Sequence, residues 1–408
     1  MGVIDWLRGK SPKMVEKLNG SFFYFNDDGI FANKIESFTN ANAYVLAKNI
    51  AEIYNPIDII SDRVASVNYQ LKYTKDDSIV ENIPKRIQQL LDRPNALYSM
   101  QQLIYNLQFI QLAQGGVDSY VNISEGSPKK SEYINSIWAL EPNKTVKQLK
   151  VNIPSNPFTI DNLDDLIANY QTFFLRQVDI LPENIISNTF NNISLTDLNY
   201  ISELGGAERN INNLIAVYEA RYKAYKTNGA AGILTRKTAT NGDMAQFEPS
   251  QRKDMIDELN STDGVTKGKN FIGISAVPME FIKTLGTISE LQPFEETYDD
   301  QLKIAGIYNV SKHLLPTKDG TTFTNQSEAE VGIWQNTIKP FAEEMAQYLD
   351  RLFYLDGSMY FSPDFDNIEA LQTDRKTQLE ADNLELDLIG KLRELGINDS
   401  EIEKKWKD

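Results

Sequence analysis

His313 is the only histidine among the 408 residues, and the chain contains no cysteine. A serine–histidine–aspartate triad or a histidine-based zinc site would therefore depend on this one residue. The lack of cysteine excludes disulfides and thiol catalysis, and it fits a reducing cytoplasm. Because Leu314 and Leu315 follow it, we interpret His313 as a half-buried histidine that caps a helix end.

Carboxylates are plentiful, with 57 Asp and Glu residues. The adjacent pairs Asp299-Asp300 and Asp164-Asp165 are the candidates for a carboxylate-based hydrolase. Neighbouring residues on a helix point about 100° apart, so the two members of such a pair converge poorly. The GxxxxGK[ST] loop of an ATPase does not occur. We expect no enzyme activity, no cofactor and no metal site, although carboxylate-only Mg²⁺ or Ca²⁺ binding stays open.

The formal net charge of -16 argues against a protein that wraps nucleic acid tightly. It is compatible with DNA that passes without being held, provided that a few cations are placed locally. No run of 18 apolar residues exists, so we expect no membrane span. The first residues lack the apolar stretch of a signal peptide, and Trp6 stands where myristoylation needs Ser or Thr.

Hydrophobic periodicity predicts mixed helices and strands in the first half of the chain. We predict helices at 40–55, interrupted by Pro56, at 57–67, from 87 until Pro94 stops it, and at 97–112. Strands are predicted at 68–73, 119–123 and 134–140. Residues 145–200 have no clear period and are assigned to short strands and loops, with one helix at 161–174. The fold class is therefore α+β.

The second half has an unusual order of parts. A helical rod at 205–227 is followed by a strand at 231–234, a small helix at 249–259 and a strand at 270–275. A second rod at 292–310, a loop at 311–324 and a long helix at 325–353 follow. A strand near 358–361 and a charged helical tail from 367 to 406 complete the series. A compact module is thus held between two rods.

Two of these helices carry distinctive residues. On the first rod, apolar and aromatic side chains recur at offsets of three and four and form one stripe; they are Ile211, Leu214, Ile215, Tyr218, Tyr222 and Tyr225. The long helix contains Pro340, which removes one hydrogen bond and clashes with the preceding turn. We predict one kinked helix there.

This order of parts resembles the portal proteins of tailed bacteriophages and of gene-transfer-agent particles, over roughly residues 45–400. Short local matches accompany it: Arg93-Pro94-Asn95, Trp138 to Pro142, Lys226 to Gly229, an acidic helix at 295–304, Ala305 to Val310, and Thr337 to Pro340. The chain departs from the family where Tyr308-Asn309-Val310-Ser311 replaces the usual Phe-Gly-Val-Pro, and its C-terminal region is short.

The resemblance implies a portal fold with named parts. They are a wing at 1–204 with a flexible arm at about 1–40, stem helices at 205–229 and 292–310, an α/β clip at 230–291, a tunnel loop at 311–324, a kinked wing helix and strand at 325–366, and a helical crown at 367–408. It also implies a ring of about twelve copies at one capsid vertex, through which double-stranded DNA passes during packaging, retention and ejection.

The residues expected to face DNA lie in the tunnel loop: Lys312, Lys318, Thr321 and Thr322. The stripe from Ile211 to Tyr225 is expected to pack subunits in the stem. The implied partners are the capsid protein or scaffold, the terminase large subunit and a head–tail adaptor, in a virion assembled in the host cytoplasm. The alternatives are another virion component, such as a head–tail adaptor, and a carboxylate-based hydrolase.

Overall fold

The structure is a computed structural model. It describes residues 36–372, except 125, 151–162, 190–192, 195–196, 227–231, 237–278, 284–292 and 317–321. For 163–164, 222–226, 232–236, 279–283 and 293–295 it describes the backbone alone. The chain divides into two compact units, a smaller one of residues 1–39 and 207–304 and a larger one of residues 40–206 and 305–408.

Four helices open the larger unit: α1 (Ala43–Asn49), α2 (Ala51–Ser66), α3 (Lys85–Asp92) and α4 (Met100–Gln114). Helix α2 buries Ile53, Ile57, Ile60 and Val64, which recur at helical spacing. Helix α4 begins with a capping box between Ser99 and Gln102, and ends at Gly115 in the left-handed conformation.

The predicted interruption at Pro56 is wrong. The break falls at Ile50, which has an extended backbone, and Pro56 lies inside α2. A proline removes one backbone hydrogen bond from a helix. Here Pro56 is itself buried beside the apolar stripe of α2, and packing keeps the helix intact.

Strands of the larger unit form three small antiparallel sheets. They are β1 (Asn68–Tyr73), β2 (Gly116–Ile123), β3 (Ile134–Ala139), β4 (Thr145–Leu149), β5 (Ile167–Phe174), β6 (Arg176–Ile180), β7 (Ile185–Thr189) and, late in the chain, β10 (Met359–Asp364). The strand orders are β3-β2-β7, β4-β5-β6 and β1-β10.

The predicted helix at 161–174 is also wrong, because a short 3-10 helix, Leu163–Leu166, leads into β5. The β5 sequence is rich in aromatic and β-branched residues, which favour a strand when neighbours are present on both sides. Both neighbours are present, since β5 pairs with β4 and with β6. Its buried Tyr170 joins an apolar cluster with Leu166, Ile180 and Ile185.

The two predicted rods are confirmed as α5 (Glu208–Lys226), in the smaller unit, and α6 (Pro293–Ile307), whose last three residues belong to the larger unit. Between them in sequence, β8 (Gly232–Arg236) pairs antiparallel with β9 (Met279–Lys283). The side-chain amide of Asn210 on α5 donates to Asp300 on α6, at 2.6 Å. The predicted helix at 249–259 and strand at 270–275 lie outside the described residues.

The long helix predicted at 325–353 is confirmed as one uninterrupted run. It consists of α7 (Phe323–Ile333), a π-helical turn (Trp334–Ile338) and α8 (Lys339–Leu352). The chain then turns into β10, which pairs with β1. None of the helices that the structure describes is long and apolar enough to cross a membrane.

Candidate functional site

The segment that joins α6 to α7 begins with a well-defined helix end. The N–H of Val310 donates to the carbonyl of Ala305 at 3.0 Å, and the N–H of Asn309 donates to that of Gly306 at 3.2 Å. Asn309 has φ 55°. These features make a Schellman motif, which usually has glycine at the left-handed position, and asparagine is the residue that replaces glycine there most readily. Asn309, which stands where the family usually has glycine, therefore still allows the helix to end sharply.

Tyr308, which belongs to the larger unit, connects the residues after α6 to α4. Its side chain is buried, and its hydroxyl donates to the carbonyl oxygen of Leu112 in α4, at 2.9 Å. Burial, together with the nearby charge of Glu203, raises the pKa of the Tyr308 hydroxyl well above its usual value. The hydroxyl therefore stays a neutral donor. The residues after Tyr308 therefore continue from a buried, hydrogen-bonded position.

Lys312 and His313 come next, in a single 3-10 turn, Lys312–Leu314. The Lys312 side chain is exposed, whereas the imidazole of His313 is half-buried. His313 therefore lies within a short turn and does not cap an α-helix. Two of the residues expected to face DNA, Lys318 and Thr321, lie outside the described part of the chain.

Thr322 begins the long helix. Its hydroxyl accepts a long hydrogen bond of 3.4 Å from the N–H of Asn325, as an N-cap residue does. Every residue from 322 to 328 is exposed, and the ring of Phe323 is 88% exposed. The first two turns of α7 thus have no packed face in the single chain. Residues 317–321 lie outside the described part of the chain, with Lys312 before them and Thr322, at the exposed start of α7, directly after them.

Glu330 ties α7 to the packed part of the larger unit. Its carboxylate accepts two hydrogen bonds from the guanidinium of Arg63 on α2, at 2.8 and 2.7 Å. It also accepts the indole N–H of Trp334 at 3.1 Å. Burial alone would raise the pKa of Glu330, but the hydrogen bonds and charge of Arg63 outweigh it, and the pKa is lowered. This bidentate clamp lies two turns after Thr322.

The π turn follows the clamp and immediately precedes Pro340. The N–H of Lys339 donates to the carbonyl of Trp334, which is the five-residue spacing of a π-helix. Proline has no N–H and crowds the carbonyl four residues earlier. A widened turn accommodates that missing bond while the helix continues. The structure thus pairs the predicted irregularity at Pro340 with a π turn, and the bend itself stays a prediction.

The predicted subunit-packing stripe divides into two groups. Ile211, Leu214 and Ile215 are at most 5% exposed in the single chain, so little of their surface is left for a neighbouring subunit. Tyr218 is half-buried. The side chains of Tyr222 and Tyr225 lie outside the description. Periodicity identified the stripe, but it cannot distinguish a face buried within a chain from one buried between chains.

Of the carboxylate pairs considered for hydrolysis, the structure describes both side chains only for Asp299-Asp300, and these two have different surroundings. Asp299 is exposed, whereas Asp300 is buried and accepts the hydrogen bond from Asn210. Asp165 is exposed. Within the described ranges, no cluster of three or more His, Asp and Glu side chains is arranged to hold a metal ion.

Sequence reasoning missed the clamp and a second polar cluster. Arg63 and Glu330 are 267 residues apart, and no local pattern connects them. Asp118, buried on β2, accepts from Ser187 at 2.6 Å and from Tyr200 at 2.5 Å, and lies 3.2 Å from the amine of Lys147. The pairing of β2 with β7 brings Ser187 to Asp118, whereas Lys147 on β4 and Tyr200 after β7 reach it only through the tertiary fold.

Comparisons with known proteins give a consistent result. A family model described as phage portal protein matches residues 51–384. No curated protein sequence matches the chain. Among the solved structures that share its fold are three at 16–17% sequence identity. The neck of a native gene transfer agent particle has a TM-score of 0.53, covering 83% of this chain and 88% of the other.

The other two come from related particles. The neck of an empty gene transfer agent particle has a TM-score of 0.54, with 82% and 88% coverage. The virion of a native particle also has a TM-score of 0.54, with 84% and 89% coverage. Likeness at this identity establishes the fold, and the family model covers most of the sequence. The chain therefore belongs to the phage portal protein family.

Proposed function

We propose that copies of this chain form a ring around a channel at one capsid vertex, through which double-stranded DNA is packaged, retained and ejected. The observation that carries this proposal is the family match over residues 51–384. The two rods α5 and α6, with the strand pair β8–β9 between them in sequence, support it further. In this proposal α5 and α6 are the stem helices, and the β8–β9 pair belongs to the clip. The wing precedes them in sequence, and the tunnel loop, the kinked helix and the crown follow.

Twelve copies are proposed for the ring. The native gene transfer agent neck was computed with twelvefold symmetry and the empty neck with sixfold symmetry, which a twelvefold ring contains. Twelve chains of net charge -16 carry roughly -190 in total, a repulsion that buried subunit contacts must offset and that salt screens.

The proposed DNA contact is sparse. Lys312 is exposed one turn after the anchored end of α6, and Lys318, Thr321 and Thr322 complete the set. Cations attract phosphates, whereas an acidic ring as a whole repels them. A few lysines in an acidic channel would guide DNA without holding it at fixed positions, as translocation requires. The exposed turns of α7 carry mostly uncharged polar groups, which suits the same role.

The proposed setting is the virion, after assembly in the host cytoplasm. The capsid protein or scaffold would surround the wing, and the terminase large subunit and later a head–tail adaptor would dock at the clip. Portal proteins are structural components, and the separated surroundings of Asp299 and Asp300 give a hydrolase no support. A head–tail adaptor function is less well supported, because the matched family is that of portals.

Electron microscopy of the purified protein in negative stain tests the proposal. Pierced rings of uniform diameter are expected at moderate salt. Well-dispersed compact monomers under all salt conditions would contradict it.

Charge reversal tests the lysines separately. The double variant Lys312→Glu with Lys318→Glu should lower the DNA content of particles, because two phosphate-attracting groups become repulsive in every subunit. Ring yield should not change. The matched control is Lys129→Glu with Lys130→Glu, an equal charge change at two exposed lysines remote in sequence from the loop. Equal DNA content in both variants would remove Lys312 and Lys318 from the account.

A further inference from the structure

A cavity of about 720 Å³ opens in the larger unit, beside β5, β7 and the end of α8. This volume falls in the range of about 300–1,000 Å³ that is typical of binding pockets. Its walls are largely aliphatic, with Ile167, Ile185, Ile186, Ile193, Leu198 and Leu355. Lys147, Asp350, Arg351 and Tyr354 provide polar groups. An apolar pocket with a few polar groups is what a binding site requires.

Tyr354 gives this cavity an unusual wall. Its backbone is left-handed, with φ 47°, which bulky residues rarely adopt. Its hydroxyl is buried and has no hydrogen-bond partner among the described residues. The left-handed backbone has a structural cause, because the N–H groups of Leu355 and Tyr354 donate to the carbonyls of Asp350 and Arg351, the Schellman pattern that ends α8. The feature left for a partner to use is the buried hydroxyl.

The charges at the cavity are unevenly paired. Lys147 is neutralised internally by Asp118, and its amine lies 3.9 Å from the centre of the Tyr200 ring. Arg351 donates to the carbonyl of Ser187 at 3.0 Å. Asp350 accepts the N–H of Phe361 at 2.6 Å, and no cation of the described residues is within ion-pair distance of it. Burial raises the pKa of Asp350 to about 6. Among the described residues, Asp350 thus has no cationic partner and Arg351 has no anionic one.

The same unit carries a protruding apolar tip with an adjacent cation. At the turn between β5 and β6, Phe173 is 41%, Phe174 53% and Leu175 91% exposed. Leu175 has φ 58°, and the exposed Arg176 follows it. One edge of the Phe174 ring rests on Trp138, with ring centres 5.6 Å apart. Leu175 is thus exposed at the turn, beside an aromatic ring that Trp138 supports.

The tip and the cavity lie at opposite ends of one strand. Ile167 is in the cavity wall and Phe174 is at the tip, so the seven intervening steps place them about 23 Å apart. A closed ring of identical subunits needs two different, complementary patches on each copy. We propose that the Phe174–Leu175–Arg176 tip of one copy docks in the Tyr354 cavity of its neighbour, with Leu175 among the isoleucines and Arg176 against Asp350. This rests on the ring assembly proposed above.

Cysteine cross-linking tests the contact in a chain that has no native cysteine. The double variant Leu175→Cys with Leu355→Cys is oxidised after assembly and run on a non-reducing gel. We expect a ladder of linked copies that reducing agent abolishes. The matched control pairs Leu355→Cys with Ile79→Cys, since Ile79 is a comparably exposed apolar residue at 56%; it should give no ladder. Each single variant should give no species above a dimer.

The outcomes separate this contact from the ring itself. Rings seen by microscopy without a ladder from the Leu175–Leu355 pair would overturn the docking and leave the ring intact, with the tip facing another virion protein. Failure of the unmodified chain to form rings would overturn the proposed function. Within the cross-linkable variant, Arg176→Glu should lower the ladder yield about fivefold, the factor that 1 kcal/mol represents, and Arg176→Lys should not. Equal yields would refute the pairing with Asp350.

Discussion

The two halves of the long helix have opposite surroundings. In α8, Ala342, Met345, Tyr348, Leu349 and Leu352 are almost completely buried. In α7, every residue up to Glu328 is exposed. The π turn and Pro340 separate the halves, and the Arg63–Glu330 clamp secures α7 directly after its exposed turns. One helix is thus anchored at its C-terminal half and free at its N-terminal end, next to the loop proposed to meet DNA.

This difference suggests how a channel protein keeps its loop in place. A loop that contacts moving DNA needs a support that does not unfold under load. Helix α8 provides it through packing and through Tyr348, whose hydroxyl lies 2.8 Å from Ser119 Oγ and 2.9 Å from the carbonyl oxygen of Ile186. The exposed turns of α7 contribute little to the stability of the single chain. Their side chains are therefore not constrained by packing within the subunit and can be suited to the proposed channel.

Truncation of one apolar side chain in each half should give the largest contrast. Leu349→Ala should lower the free energy of unfolding by about 2–5 kcal/mol, because it leaves a cavity in a fully buried site. Phe323→Ala should change it by no more than about 0.5 kcal/mol. Urea unfolding at low protein concentration measures both. Equal losses of unfolding free energy in the two variants would show that the start of α7 is packed in the subunit, as α8 is, and would contradict the difference described above.

The clamp should give an intermediate effect that depends on pH. Glu330→Gln should cost about 1–2 kcal/mol at neutral pH, because the charged hydrogen bonds to Arg63 are lost. The folded-state pKa of Glu330 is depressed, so its contribution is present above the unfolded pKa and is lost as pH falls through the folded one. The difference between variant and parent should therefore vanish in acid.

Glu328 provides the matched control, because it is an exposed carboxylate on the same helix. Glu328→Gln should leave stability unchanged at every pH. If Glu330→Gln behaves in the same way, the clamp does not stabilise the long helix.

Asp350, in the anchored half, should give a smaller effect of opposite sign. Burial raises its pKa from 3.8 to about 6, so ionisation is disfavoured in the folded state. Between these values the folded chain binds more protons than the unfolded chain, and stability falls as pH rises. Asp350→Asn should remove this decline while an amide oxygen still accepts from Phe361. Thermal unfolding from pH 4 to pH 7 measures it, and parallel curves for parent and variant would contradict the assignment.

Sequence periodicity was sufficient for the rods and for the long helix. The apolar positions of α5 and α8 recur at three and four residues, and this pattern depends on the helix alone. It failed at β5, where the pairing partners β4 and β6 decide the conformation. The hairpin tip at Leu175 was missed for the same reason.

The details of the site were less accessible to sequence. Asn309 adopts the conformation that glycine favours, which composition does not reveal. The clamp joins Arg63 to Glu330, and the cavity joins β5 to the end of α8, so both depend on the tertiary fold. Resemblance in the order of parts identified the family where individual motifs were weak.

A site-specific label tests most directly whether the free end of the long helix faces a channel. Lys312→Cys provides a single thiol for a gold cluster, and averaged electron micrographs of labelled rings locate it. We expect label density in the central bore, whereas a label on Lys130→Cys, at the exposed control position, should lie away from the bore. Lys312 label at the outer rim, or labelled particles without a bore, would contradict it.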